Sequence, residues 1–159
     1  GIFFDDNHER LAQNYRSSFM RLAIHYLYSE QNKEMALQSL DRMQQIIPRD
    51  VIKMPYGLLY EISNIYYAAG GIKQYEPLAR EIEKVALKQL DTNPGDVNSY
   101  YSPYRVLTDV YGNLKEYKKA ADIWARIQQM YPNDPTVKSE LEKYRALASG
   151  AANPAAPKQ

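Results

Sequence analysis

Apolar side chains recur at three- and four-residue steps along most of the 159-residue chain. Steps of this size place side chains on one face of an α-helix, so the pattern predicts amphipathic helices packed on a common core. Seven helices are predicted, over residues 7–31, 33–47, 56–69, 77–91, 103–114, 118–130 and 135–149. The predicted fold class is therefore all-α.

Local breakers set most of these helix ends. Pro48 ends the second helix because its ring blocks the next helical hydrogen bond. Gly70-Gly71 ends the third helix, since glycine takes the left-handed turn without strain. Pro77 is predicted to open the fourth helix, where its missing N–H would be unpaired in any case. Asp134-Pro135 opens the last one.

Consecutive helices pair into hairpins at about 7–48, 56–91 and 103–132, followed by a capping helix at 135–149. The third hairpin carries large and small residues at a spacing that recurs in the chain, namely Tyr104, Leu107, Tyr111, Ala120, Trp124 and Pro132. The first hairpin repeats these steps without a gap, at Met20, Ala23, Leu27, Ala36, Leu40 and Pro48. In the middle hairpin, the second helix fits only if its turn contains three extra residues.

The third hairpin resembles a tetratricopeptide repeat, a helix hairpin whose regular period is about 34 residues. The resemblance covers Phe19 to Pro132 and implies hairpins stacked in a short right-handed solenoid with a C-terminal capping helix. A single domain at 1–149 and a disordered, Ala/Pro-rich tail at 150–159 are expected. In this family the first helices of the hairpins line a concave groove, which here would present Arg21, His25, Tyr28, Tyr60, Asn64, Tyr67, Arg105, Asp109 and Asn113.

The groove residues have a simpler alternative, in which polar side chains merely solvate the helices. An adaptor for chaperone tails is disfavoured, because Glu61, Ser102 and Val106 occupy several positions where that branch of the family uses Lys, Asn or Arg.

Charge and composition narrow the range of partners. Lys and Arg number 20 and Asp and Glu 19, so the near-neutral chain lacks the basic footprint of a nucleic-acid binder. No apolar stretch reaches the roughly 18 residues of a spanning helix, so no direct membrane insertion is expected. Cysteine is absent, which leaves both cytoplasmic and extracytoplasmic locations open.

Catalytic and metal-binding patterns are weak in this sequence. His8 and His25 lie too far apart on one predicted helix to form a ligand pair. The acidic residues Asp5, Asp6 and Glu9 lack the glycine and alternating ligands of a calcium loop, and helix capping explains Asp6 and Glu9 better. We therefore expect no metal, no cofactor and no enzymatic activity from this chain by itself.

Fifteen tyrosines are an unusual feature of the composition. Four are predicted to fill hairpin contacts in the core: Tyr66, Tyr111, Tyr117 and Tyr131. Tyr100, Tyr101 and Tyr104 lie at a long loop and a helix start, where they either form a stacking platform for a sugar or peptide or seal the junction between hairpins. Trp124 is predicted to be buried.

A broader resemblance covers the N-terminal two thirds. It rests on Phe3-Phe4-Asp5-Asp6-Asn7, on residues 14–23, on the helix from Ala36 that ends at Pro48, and on Met54-Pro55-Tyr56. These segments are similar to the soluble C-terminal region of bacterial multi-spanning membrane proteins related to protein O-mannosyltransferases. The resemblance implies an excised appendage, in agreement with the start at Gly1, and places any catalytic site in the absent membrane part.

Two functions follow from these expectations. The first is a non-catalytic scaffold that binds a protein or peptide, as a soluble module of a larger bacterial protein. The alternative is an accessory domain of a membrane glycosyltransferase-like enzyme that positions an acceptor protein or glycan. In the second case the membrane-embedded part of the same polypeptide would be a partner, and the domain would be membrane-attached and extracytoplasmic.

Overall fold

The computed structural model describes residues 6–150, and every regular element in this range is helical. The elements are α1 (Asp6–Ile24), a π-helical turn (His25–Ser29), α2 (Lys33–Ile46), α3 (Tyr56–Ala68), α4 (Ile72–Thr92), α5 (Pro103–Asn113), α6 (Tyr117–Met130) and α7 (Pro135–Ala148). The all-α prediction is confirmed. Residues 1–5 and 151–159, which include Asp5, the Phe3-Phe4 start of the broader resemblance and nearly all of the predicted tail, lie outside the described range.

Most predicted helix ends agree with the structure. Helix α2 ends just before Pro48, and α3 ends just before a turn in which Gly70 has a φ of +82°. Asp134 caps α7, because its Oδ1 accepts the backbone N–H groups of Thr136 at 2.8 Å and Val137 at 3.2 Å. Breakers and caps act on their immediate neighbours, so they could be recognised without knowledge of the fold.

The predicted start of the fourth helix is wrong. Helix α4 begins at Ile72, and Pro77 lies inside it. Proline at this point leaves the carbonyl of Lys73 without its usual helical partner. Lys73 and Pro77 are both exposed, so water can bind that carbonyl and the helix can continue through the proline.

The predicted insertion in the middle turn is also wrong. The turn from Ala69 to Gly71 has three residues, the same number as the turn from Leu114 to Glu116. With equal turns, the buried Tyr75 and Ala79 of α4 take the places of Ala120 and Trp124 in α6. A large residue precedes a small one in α4, whereas a small residue precedes a large one in α6. Because the sizes are exchanged, the repeat pattern did not reveal the register of α4.

All three hairpin turns place their second residue in the left-handed conformation. The φ values are +52° at Gln31, +82° at Gly70 and +59° at Lys115. After Gly70, the N–H of Gly71 bonds to the carbonyl of Tyr66, and after Lys115 the N–H of Glu116 bonds to that of Tyr111, both at 2.8 Å. These bonds close α3 and α5 in the same Schellman motif.

The first hairpin closes by a wider bond. The N–H of Asn32 bonds to the carbonyl of Tyr26 at 2.8 Å, which spans one residue more than in the other two turns. The wider loop follows from the π-helical turn at His25–Ser29. Asn32 then caps α2, because its side chain accepts the N–H of Met35 at 3.0 Å.

The chain divides into two compact units, unit 1 over Gly1–Ile82 and unit 2 over Glu83–Gln159, with residues of α4 in each. The prediction of a single domain stays a prediction. In unit 1, α1, α2 and α3 pack on one another. Their contact surfaces bury the fully covered residues Ala23, Ala36, Leu40, Met43 and Ile62.

Unit 1 also contains a charged side chain whose burial the sequence pattern does not predict. Arg16 of α1 is 0% exposed, and its guanidinium donates to the carbonyls of Ile47 at 3.2 Å, Ile52 at 2.5 Å and Lys53 at 3.1 Å. Burial lowers the pKa of Arg16. These bonds attach the segment between α2 and α3 to α1.

In unit 2, α6 packs against both α5 and α7. The fully or nearly fully buried residues include Val106, Leu107, Val110, Ala120 and Leu141. Helix α7 buries Val137 and Leu141, whereas Ala148 near the helix end is exposed. The tetratricopeptide arrangement of the hairpins stays a prediction.

Replacing Arg16 should destabilise unit 1 strongly. We expect Arg16→Met to lower the free energy of unfolding by about 3 kcal/mol, because several buried carbonyls lose their donor. Arg10→Met, at an exposed position of the same helix, is the control and should change it by less than about 0.5 kcal/mol. Urea unfolding followed by circular dichroism measures both, and equal losses in the two variants would contradict the anchoring role.

Substitutions at two of the left-handed turn residues should change the free energy of unfolding in opposite directions. Lys115→Gly should raise the free energy of unfolding by about 1 kcal/mol, because a side chain is strained at positive φ. Gly70→Ala should lower it by a similar amount, about 1 kcal/mol, since the added Cβ meets no atom within 4 Å and only the backbone strain remains. Thermal and urea unfolding give both values, and effects of the same sign would disprove the shared turn conformation.

Candidate functional site

The nine predicted groove residues lie in both units. Six lie in unit 1 and three in unit 2, so the groove as a whole stays a prediction. Exposed members are Arg21, His25, Tyr28, Tyr67 and Arg105, and partly exposed members are Asn64, Asp109 and Asn113. Tyr60 is only 3% exposed, which corrects the expectation that its side chain faces a ligand.

In unit 1, several exposed groove candidates already have local partners. His25 Nε2 lies 2.9 Å from a carboxylate oxygen of Glu30, one residue beyond the π-helical turn. The Tyr67 ring lies 5.1 Å from that of Tyr75, centroid to centroid. Tyr28 is 67% exposed.

Unit 2 contains a cavity that includes two of the predicted groove residues. Its volume is about 420 Å³, and we call it the α5–α7 cavity because α5, α6, α7 and the preceding loop supply its walls. Its lining residues are Val97, Asn98, Tyr104, Arg105, Thr108, Asp109, Trp124, Ile127, Tyr131, Asp134 and Val137. Of the predicted groove set, Arg105 and Asp109 belong to it and Asn113 does not.

Trp124 was predicted to be buried, but it is only partly buried and lines the α5–α7 cavity. Its indole Nε1 is shielded from solvent and has no hydrogen-bond acceptor. A buried N–H without an acceptor costs free energy. The repeat pattern indicates a large residue at this position, but it does not show that one edge of the ring borders a cavity.

The two carboxylates of the lining interact with the protein itself. Asp134 is the N-cap of α7 and accepts two backbone N–H groups through Oδ1. Asp109 lies near Tyr144 of α7, whose pKa is raised mainly by burial and further by neighbouring charges that include Asp109. The two hydrogen bonds to α7 thus set the position of Asp134.

Arg105 is the cation of the lining, and its side chain is exposed. The guanidinium carbon lies 4.6 Å from the centre of the Tyr100 ring, a cation–π contact that orients the side chain. Within residues 6–150, no carboxylate forms an ion pair with it. Arg105 therefore places an unneutralised cation beside the cavity.

The loop tyrosines separate into a buried residue and an exposed pair. Tyr104 is 5% exposed, and its hydroxyl donates to the carbonyl of Pro94 at 2.7 Å, which attaches the loop to α5. Tyr100 and Tyr101 are 54% and 38% exposed, and their rings meet edge to face with centroids 4.8 Å apart. Tyr104 therefore serves packing, whereas Tyr100 and Tyr101 present exposed ring surface, and the stacking platform stays a prediction for this pair.

The four tyrosines predicted to be in the core differ in exposure. Tyr66 and Tyr111 are buried, as predicted. Tyr117 is only partly buried, and its ring centroid lies 6.2 Å from that of Tyr144. Tyr131 is 40% exposed and lines the α5–α7 cavity, so its assignment to the core is wrong. Its place at the end of α6 leaves no neighbour over one side of the ring.

Unit 1 has a polar cavity of about 420 Å³ whose lining includes Asp41, Gln44, Arg49, Tyr66 and Gln74. Asp41 Oδ1 accepts the Tyr66 hydroxyl at 2.9 Å, and Asp41 Oδ2 accepts the Gln74 amide at 3.3 Å. Burial, and then Asp41, raises the pKa of Tyr66 far above its usual value. These bonds connect α2, α3 and α4 and give the cavity a mainly structural wall.

Neither a metal-binding cluster nor a membrane-spanning helix occurs in the described part of the chain. Residues 6–150 contain no group of three or more His, Asp or Glu side chains placed to hold a metal ion. The helices in the same range include none that is both long and apolar enough to cross a membrane.

Comparison with known proteins identifies no relative. No family model, no curated protein and no solved structure matches the chain. The case for a function therefore rests on the geometry within each unit, and the lining of the α5–α7 cavity combines aromatic, aliphatic, cationic and acidic side chains.

The Tyr66–Asp41 bond predicts a pH effect on stability. Unfolded Tyr66 ionises near pH 10, whereas the folded side chain stays protonated, so the unfolded state binds fewer protons and stability falls as the pH rises above about 10. Tyr66→Phe should make this fall less steep and lower stability at pH 7 by about 1 kcal/mol. Tyr28→Phe, at an exposed site, is the control, and urea unfolding between pH 7 and 11 gives the free energy of unfolding of both variants. If this free energy falls equally steeply with pH in both, Tyr66 is not the group responsible.

Proposed function

We propose that this chain is a non-catalytic scaffold of the tetratricopeptide-like kind that binds a protein or peptide. In this proposal its hairpins stack as a short right-handed solenoid, which α7 caps. The repeated left-handed turn at Gln31, Gly70 and Lys115 supports the proposal, because a repeat protein reuses one hairpin geometry. The burial of Ala36 and Ala120 at equivalent positions gives further support.

The α5–α7 cavity is the observation that carries the binding function. Its lining includes Tyr104, Arg105, Trp124 and Tyr131, and these residue types are enriched where interfaces concentrate their binding energy. Apolar walls with a few polar groups are typical of sites that enclose part of a ligand. A side chain of an extended partner segment would enter the cavity, while its backbone follows α5.

The exposed tyrosine pair favours a second candidate function. Tyr100 and Tyr101 present aromatic surface beside Arg105, and aromatic faces can pack against the apolar face of a sugar ring. In this proposal the chain is an accessory domain of a larger bacterial glycosyltransferase-like membrane protein, attached outside the cytoplasm, where it positions an acceptor protein or glycan.

Selection from a displayed random peptide library tests the scaffold proposal. Peptides selected on the full chain should bind it with micromolar dissociation constants, and Val97→Arg should weaken binding at least tenfold because the new side chain blocks the cavity. Val51→Arg, at a valine of unit 1 that is 54% exposed, is the matched control and should leave binding unchanged. Isothermal titration calorimetry measures both variants.

The outcomes of this selection separate the two candidates. Failure to select any specific peptide, or full binding by Val97→Arg, would overturn peptide binding at the cavity. Glycan-array binding that is lost in Tyr100→Ala and Tyr101→Ala but kept in Val97→Arg would support the accessory-domain function instead.

A further inference from the structure

We infer that the α5–α7 cavity selects an extended segment in which a carboxylate lies beside a bulky apolar side chain. This inference rests on the proposed binding function and adds the chemistry of the partner. The carboxylate would pair with Arg105 at the side of the cavity, and the apolar side chain would enter the cavity next to Trp124.

The first argument is the imbalance between donors and acceptors around the cavity. The Arg105 guanidinium carries five N–H groups and has no carboxylate partner in the described part of the chain, and Trp124 Nε1 has no acceptor. Among the acceptors of the lining, Asp134 Oδ1 already accepts two backbone N–H groups of α7. The Arg105 side chain is exposed, so an occupant can supply an acceptor to it.

The second argument is the preorganisation of Arg105. Its stacking at 4.6 Å over Tyr100 restricts the guanidinium before any ligand arrives, so less conformational freedom is lost on binding. A planar guanidinium matches a carboxylate with two parallel hydrogen bonds, which a single hydroxyl or amide cannot match. A carboxylate is thus the acceptor that Arg105 discriminates best.

The third argument is the apolar part of the wall. Val97, Ile127 and Val137 line the same cavity as Trp124, and burying an apolar side chain among them supplies the main driving force for binding. An exposed ion pair adds little affinity by itself but favours the matching partner and speeds its approach.

A basic segment is the principal competitor, because the lining also contains Asp109 and Asp134. Asp134 Oδ1 is already occupied as the cap of α7, and a basic side chain would lie close to the unneutralised Arg105. The test therefore compares opposite charges at the same peptide position, and it compares a side-chain carboxylate with the carboxylate of a chain end.

Fluorescein-labelled peptides with Gly/Ser flanks provide the probes, each measured with the full chain by fluorescence anisotropy. Three C-terminally amidated peptides carry Glu-Leu, Gln-Leu or Lys-Leu at their centre, and a fourth carries Glu-Ser. A fifth ends in Leu with a free carboxylate. We expect the Glu-Leu peptide to bind at least tenfold more tightly than the Gln-Leu, Lys-Leu and Glu-Ser peptides.

Variants connect this preference to the two named side chains. Arg105→Gln should remove the advantage of Glu over Gln, while Arg126→Gln, at an exposed position of α6, should retain it. Trp124→Phe reduces the aromatic surface that lines the cavity, and it should weaken the Glu-Leu and Gln-Leu peptides by the same factor. Raising the salt concentration from 50 to 200 mM should reduce only the Glu advantage.

Each result supports or overturns the inference. Tighter binding of Lys-Leu, or an unchanged Glu advantage in Arg105→Gln, overturns it, and so does a lack of binding by all five peptides. Tight binding of only the fifth peptide assigns the carboxylate to a chain end and overturns the internal acidic residue. If library-selected peptides still bind and Val97→Arg still blocks them, the proposed function survives while this inference fails.

Discussion

The fold of each hairpin depends on one residue in the left-handed conformation. Two helices can reverse direction within three residues only if the chain bends sharply there, and Gln31, Gly70 and Lys115 provide that bend at the same point of their turns. The bend sets the rotational phase of the second helix relative to the first. Ala36 and Ala120 consequently face inward with no exposed surface.

This constraint explains why the first and third hairpins could be predicted and the middle one could not. The helix ends at Pro48 and Gly70 follow from local sterics, so they were recognisable from the sequence. The register of α4 depends on Tyr75 and Ala79 exchanging the large and small roles that Ala120 and Trp124 have in α6. Such an exchange conserves buried volume, which packing requires, but not the residue pattern that a spacing search detects.

The candidate site also contains residues that were predicted from the sequence and residues that were not. Arg105 and Asp109 were predicted from the tetratricopeptide resemblance, in which the first helix of each hairpin lines the groove. Val97 and Asn98 were missed because they lie in a loop, where no periodicity shows which residues approach α6. The Asp134-Pro135 pair correctly indicated a helix start, but only the packing of α7 on α6 brings Asp134 beside the cavity.

By itself, the sequence determined the all-α class, nearly all the helix ends and the inward face of most helices, because periodicity, caps and breakers act over a few residues. Tertiary structure decided the rest. It placed the charged Arg16 in the interior, where backbone carbonyls without local partners accept its N–H groups. It also left the Trp124 side chain beside a cavity, since the space around a side chain depends on elements distant in the chain.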